Sequence, residues 1–80
     1  MNLEEFIDIG LSTTLTFLVV AGNDRRAGNV TAANREELGA HRAYQEALHL
    51  FRVLRPRICQ TGARRLAIRI KEIGNAMHGG

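Results

Sequence analysis

The sequence predicts an all-α single domain, residues 1–80, built from three helices and self-associating. Three observations carry this. The last quarter, Arg57 to Met77, sets Cys59, Ala63, Leu66, Ile70, Ile73 and Met77 at spacings of 4, 3, 4, 3 and 4, the rhythm of a helix seated against another helix. Residues 31–54 gather Ala40, Ala43, Tyr44, Ala47, Leu48, Leu50, Phe51 and Leu54 on one arc, with Arg42, Gln45, His49 and Arg52 on the opposite side. Residues 2–22 open with Asn2 and Glu5 at capping-box spacing, followed by an apolar run.

The first element admits two templates. As a helix, Leu3, Phe6, Ile7, Gly10, Leu11, Thr14, Phe17, Leu18 and Ala21 share a face, and Gly22-Asn23 ends it. As a strand, Ile7, Ile9, Leu11, Thr13, Leu15, Phe17 and Val19 alternate with Asp8, Gly10, Ser12, Thr14 and Thr16. The alternative fold is therefore α+β, with an N-terminal β-hairpin packed on two helices. Such a run is long for one strand, and no turn dipeptide breaks it near Gly10–Ser12. The helix is preferred. Its second half, Leu15 to Ala21, is apolar nearly all round, which calls for burial on most sides. A chain of 80 residues buries only about 60% of its unfolded surface, so a homo-oligomer is expected.

Residues 22–30 read as the loop, with two Gly and two Asn. No Lys-Ser or Lys-Thr follows these glycines, so they form no phosphate loop. Thr31 or Asn34 can cap the second helix, whose first turn carries Glu36 and Glu37. Pro56 restricts Arg55, so that helix ends near Leu54. The last helix starts at Pro56 or near Gln60-Thr61-Gly62. Leu66, Ile68 and Ile70 also alternate as a strand would, but that template leaves Cys59, Ala63, Ile73 and Met77 without a role.

The formal charge of +3 is unevenly spread. Residues 1–51 hold four Arg against seven acids, and residues 52–80 hold seven cations against Glu72 alone. Most of the latter lie on the side of the last helix away from its seam. Arg57, Arg64, Arg65, Arg69 and Lys71 surround one apolar residue, Ile68, and Arg52 and Arg42 extend the basic surface along the middle helix. Arginine's planar fork suits carboxylate or phosphate at an interface.

Catalytic and metal patterns do not emerge. Adjacent acids such as Glu4-Glu5 and Glu36-Glu37 diverge on a helix. His41 and His49 are offset by about 80° on a 3.6-residue helix and miss the i, i+4 ligand spacing. No cofactor is expected. Cys59 is the only cysteine, so no intrachain disulfide forms, and a reducing, cytoplasmic setting fits. On the seam, Cys59 reads as a small hydrophobe. The longest uncharged run, Ile9–Asn23, is 15 residues, short for a membrane span.

These features indicate a non-enzymatic binding protein, an inhibitor or regulator acting stoichiometrically on an acidic protein surface or on a protein of a nucleic-acid-handling complex. The alternative is a DNA- or RNA-binding regulator using the arginine-rich last helix. Four aromatics, Phe6, Phe17, Tyr44 and Phe51, all on apolar faces, leave no base-stacking platform. In size and lack of catalytic groups the chain is similar to the small accessory proteins of phages and mobile elements, including anti-defence (anti-CRISPR-like) inhibitors. No motif carries that likeness, so it implies no residue roles.

Overall fold

The computed structural model describes residues 2–78, which form three α-helices and one short 3-10 turn. The Asn2 side chain accepts the Glu5 N–H at 2.8 Å, and its amide donates to the Glu5 carboxylate at 3.1 Å. This reciprocal cap starts α1, Leu3–Arg26. The helix continues through Gly22-Asn23, so the expected loop 22–30 shrinks to residues 27–29. Gly28, at φ 85°, is what stops it. The Gly28 N–H donates to Arg25 O and the Asn29 N–H to Asp24 O, the bond pair of a Schellman ending. One glycine inside a packed helix costs only about 1 kcal/mol, so Gly22 alone cannot terminate α1. Asn29 then caps α2, Val30–Leu54, by accepting the Ala32 N–H at 3.3 Å. Neither Thr31 nor Asn34 has that role. The Asn34 side chain instead accepts from Arg25, which also pairs with Glu37.

α1 and α2 form a long antiparallel hairpin. Ala33, Ala40 and Ala47, seven residues apart on α2, are buried against it. They face Ile7, Leu11, Thr14 and Ala21, the buried positions of α1. The helices approach closely: a Cβ at Gly10 would lie 3.2 Å from the Ala47 Cβ, and one at Gly39 would lie 2.9 Å from the Phe17 ring. The Thr14 hydroxyl, fully buried, donates to Gly10 O at 2.9 Å and so leaves no polar group unpaired. No strand occurs among the described residues, and the N-terminal hairpin alternative is corrected accordingly. The 3.6-residue set Ile7-Leu11-Thr14-Ala21 meets a matching face on α2, whereas the period-two set had no sheet to join.

After α2 the chain makes a 3-10 turn, Arg55–Arg57, with Pro56 inside it. Ile58 is extended (φ −105°, ψ 136°) and buried, and α3 runs over Gln60–His78. Ala63, Leu66, Ile70 and Ile73 are buried as the seam requires, with Met77 half-buried beyond them. Cys59 is not on that seam. It is exposed, ahead of the helix, and Ile58 fills the place expected of it. The 3-10 turn and the extended Ile58 delay the helix start past Arg57. The Cys59 sulfur instead accepts the Gly62 N–H at 3.4 Å, capping α3.

The core gathers Ile7 and Leu11 from α1, Ala47 from α2, and Ile58 through Ile73 from the last segment. Leu3, Tyr44, Leu48, Phe51 and Leu54 pack on it. No α1 side chain beyond Leu11 belongs to this cluster, so the far half of the α1–α2 hairpin rests on its own alanine seam. The molecule is elongated, 44 × 22 × 16 Å.

Candidate interaction surface

Helical phase decides which side chains α3 turns outward. With Ala63, Leu66, Ile70 and Ile73 buried, Ile68 falls on the opposite pole, and it is 53% exposed. Arg64 precedes it by one turn and Lys71 follows it by three residues, both exposed. Arg65 and Glu72 occupy the other two neighbouring positions, and both are exposed.

Two of the cations are already engaged. Arg65 Nη2 donates to Glu4 Oε2 at 2.8 Å, and Arg69 Nη1 donates to Asp8 Oδ1 at 2.6 Å. These bonds run from α3 to the first turns of α1, so they fix how the two helices lie. Arg65 remains 61% exposed on its side chain and Arg69 about half that, at 32%. Arg65 therefore still borders the Ile68 surface, while Arg69 sits in the helix–helix crevice. The other Glu4 oxygen, Oε1, accepts from the Cys59 thiol at 3.5 Å. A Cβ at Gly62 would overlap that same carboxylate. Glu4 therefore joins the start of α1 to the start of α3 through three residues.

The remaining predicted residues separate. Arg57 is exposed in the 3-10 turn at the foot of α3. Arg55, in the same turn, lies over the Phe51 ring with its guanidinium 6.0 Å from the centroid, a cation–π contact. Arg52 is exposed at the end of α2 nearest that turn. Arg42 does not join the group. It leaves α2 about 160° round the helix from Tyr44, and Tyr44 faces α3, its hydroxyl donating to Ile70 O at 3.3 Å. The surface is thus Arg57, Arg64, Arg65, Ile68 and Lys71, with Arg69 at its inner edge and Arg52 near its foot.

Sequence reasoning missed a second charged feature. Glu36 Oε1 is buried and has no hydrogen-bond partner among the described residues. Hydrogen bonding with the Asp24 side chain, then burial, then the Asp24 charge, raise the Glu36 pKa above its ordinary value, and Arg35 opposes them. The 22–30 loop assignment hid this pair, because it kept Asp24 off the helix that faces Glu36.

Among the described residues no three of His, Cys, Asp and Glu are grouped as metal ligands would be. α1 meets the length and composition of a membrane-crossing helix, with 22% of its most apolar window buried. It does so because such a window spans Asp8 or Asp24, where a count between charges stops. No family model, curated protein or solved structure matches the chain.

Proposed function

We propose that the protein is a non-enzymatic binding protein that acts by stoichiometric protein–protein contact, as an inhibitor or regulator, through the outward face of α3. One observation carries this: the exposed Ile68 flanked by Arg64, Arg65 and Lys71, with Glu72 at the fourth neighbouring position. An aliphatic anchor is worth most when the residues around it exclude water and pair with groups on the partner. Guanidinium forks do both, since they lie flat and bind carboxylates with two parallel bonds. The complementary partner has an apolar pocket rimmed by carboxylates, as on an acidic protein or a protein that handles nucleic acid.

Direct nucleic-acid binding is the second reading, favoured by Arg52, Arg57, Arg64 and Lys71, which form no ion pair among the described residues. Phosphate affinity grows with each free cation. Here Glu4 and Asp8 neutralise two of the cations and would repel phosphate beside them. A phosphate chain also makes no use of Ile68. Both points favour a protein partner.

The test is capture of partners on the immobilised protein, with and without nuclease, beside a gel-retardation assay on duplex and single strands. A protein partner retained after nuclease, without retardation at low salt, agrees with the proposal. Retardation that weakens steeply with salt, together with loss of all capture after nuclease, contradicts it and favours the second reading.

A further inference from the structure

α1 carries five of the nine exposed large hydrophobics among the described residues: Phe6, Ile9, Leu15, Val19 and Val20. The face it turns from α2 and α3 is apolar over most of its length. No charge lies between Asp8 and Asp24. Ile9, Thr13, Thr16 and Val20 fall within an arc of about 60°, with Ile9 51% and Val20 39% exposed. The hydroxyls on this face are not offered to solvent. Thr13 donates to Ile9 O at 2.8 Å and Thr16 to Ser12 O at 3.0 Å. Both threonines are thus free to be covered without an unpaired hydroxyl. An open trough of about 700 Å³ runs along this face, and a second of about 260 Å³, in the groove between α1 and α2, adjoins it at Ile9 and Thr13.

The chain also exposes more surface than its mass warrants. Its accessible area is 5398 Å², against about 4,800 Å² for a typical folded monomer of this mass. The surplus of about 600 Å² approaches what one partner loses in a standard interface, about 800 Å².

We infer that a second copy of this chain covers the α1 face, with the two α1 helices packed antiparallel about Thr13 and Thr16. Charge selects both the occupant and the direction. The N-terminal end of α1 is acidic and its C-terminal end basic; Glu4 and Arg25 are paired within the chain with Arg65 and Glu37, which leaves Glu5 and Arg26 for a second copy. Antiparallel packing places Arg26 of one copy within about a turn of Glu5 of the other, and sets the two helix dipoles side by side in opposite directions. Parallel packing would bring acid to acid. A bilayer is a poorer occupant. Glu5, Asp8 and Glu36 rim the trough, which repels anionic headgroups. Crossing a membrane would also strip α1 from the α2 alanines and from Arg69. In the antiparallel pair, Ile9 of one copy meets Val20 of the other. Both Ile68 faces remain open, so the dimer is bivalent.

Sedimentation at micromolar concentration and above should give twice the 8.9 kDa chain mass. Thr13→Glu with Thr16→Glu should give a monomer of unchanged helicity, and Ile68→Asp should leave the dimer intact. A second measurement fixes the geometry whether or not the glutamate variant folds. In a Cys59→Ser background, Ile9→Cys with Val20→Cys should oxidise to a covalent dimer. The two positions lie about 16 Å apart along one helix, too far to join within a chain. Ile9→Cys alone should not cross-link. Four results would overturn the inference: a monomer throughout, a dimer unaffected by the glutamates, efficient cross-linking of Ile9→Cys alone, or a monomer that floats with phosphatidylcholine vesicles.

Discussion

Leu66 and Ile68 are two residues apart, and the fold gives them opposite fates. Leu66 is 0% exposed, enclosed by the core of α1 and α3, whereas Ile68 is 53% exposed on the outer pole. Truncating Leu66 to Ala removes three buried heavy atoms and leaves a cavity, a loss of about 2–5 kcal/mol. A domain of this length has a total stability of about 4–12 kcal/mol, so Leu66→Ala consumes a large part of it. A loss of about 3 kcal/mol lowers Tm by roughly 12–24 °C, at about 4–8 °C per kcal/mol for a domain of this size. Ile68→Ala removes the same class of atoms from water and should change stability by no more than about 0.5 kcal/mol. Thermal and urea unfolding followed by circular dichroism measure both. In a strand, residues two apart share a face, and the two substitutions would act alike. Comparable losses for Leu66→Ala and Ile68→Ala would refute the helical phase on which the interaction surface depends.

Three other predictions follow from particular contacts. Glu36 has a folded-state pKa raised by Asp24 and by burial, so its stabilising effect is full at pH below its unfolded-state pKa and is lost as pH rises through the folded-state value. Glu36→Gln should therefore gain stability relative to the native chain as pH rises from acid to neutral, and a difference independent of pH in chemical denaturation would contradict this. Gly28→Ala forces a side chain into a left-handed conformation and should cost about 1–2 kcal/mol in urea unfolding; no loss would place the α1 ending elsewhere. Glu4→Ala removes the partner of both Arg65 and Cys59, and because Arg65 is largely exposed the loss should be only about 0.2–1 kcal/mol and should shrink as salt is added. A salt-independent loss would mean that packing, not the ion pair, holds α1 to α3 there.

The helices were legible where apolar residues recur with helical period and have a facing element. Ala63, Leu66, Ile70 and Ile73 are buried as the spacing required, and so are Ala40 and Ala47. Ile68 is exposed for the same reason. The boundaries were less legible, because turn residues announce a possible break without saying which is used. Gly22-Asn23 and Gly28-Asn29 carry similar chemistry, and packing of Ala21 against α2 carries α1 past the first. Cys59 shows the converse. Its spacing fits the seam, but the proline-bearing 3-10 turn shifts the helix start and Ile58 takes the buried place. The charged surface was readable as composition only. That Arg65 and Arg69 reach Glu4 and Asp8 depends on α3 lying along the first turns of α1, a pairing 61 residues apart in sequence. The same holds for Arg42, which composition grouped with the basic helix and the fold places on the far side of α2.

The proposed interaction surface stands or falls on Ile68→Asp. The substitution puts a carboxylate at the pole of α3 among Arg64, Arg65 and Lys71, where water reaches it freely in the unbound protein. The native chain and the variant should give superimposable circular dichroism and closely similar unfolding midpoints. Partner capture after nuclease treatment should then be retained by the native chain and abolished by the variant, because the new carboxylate would be buried without a partner at the centre of the contact. A folded Ile68→Asp variant that captures the same partner as fully as the native chain would contradict the account.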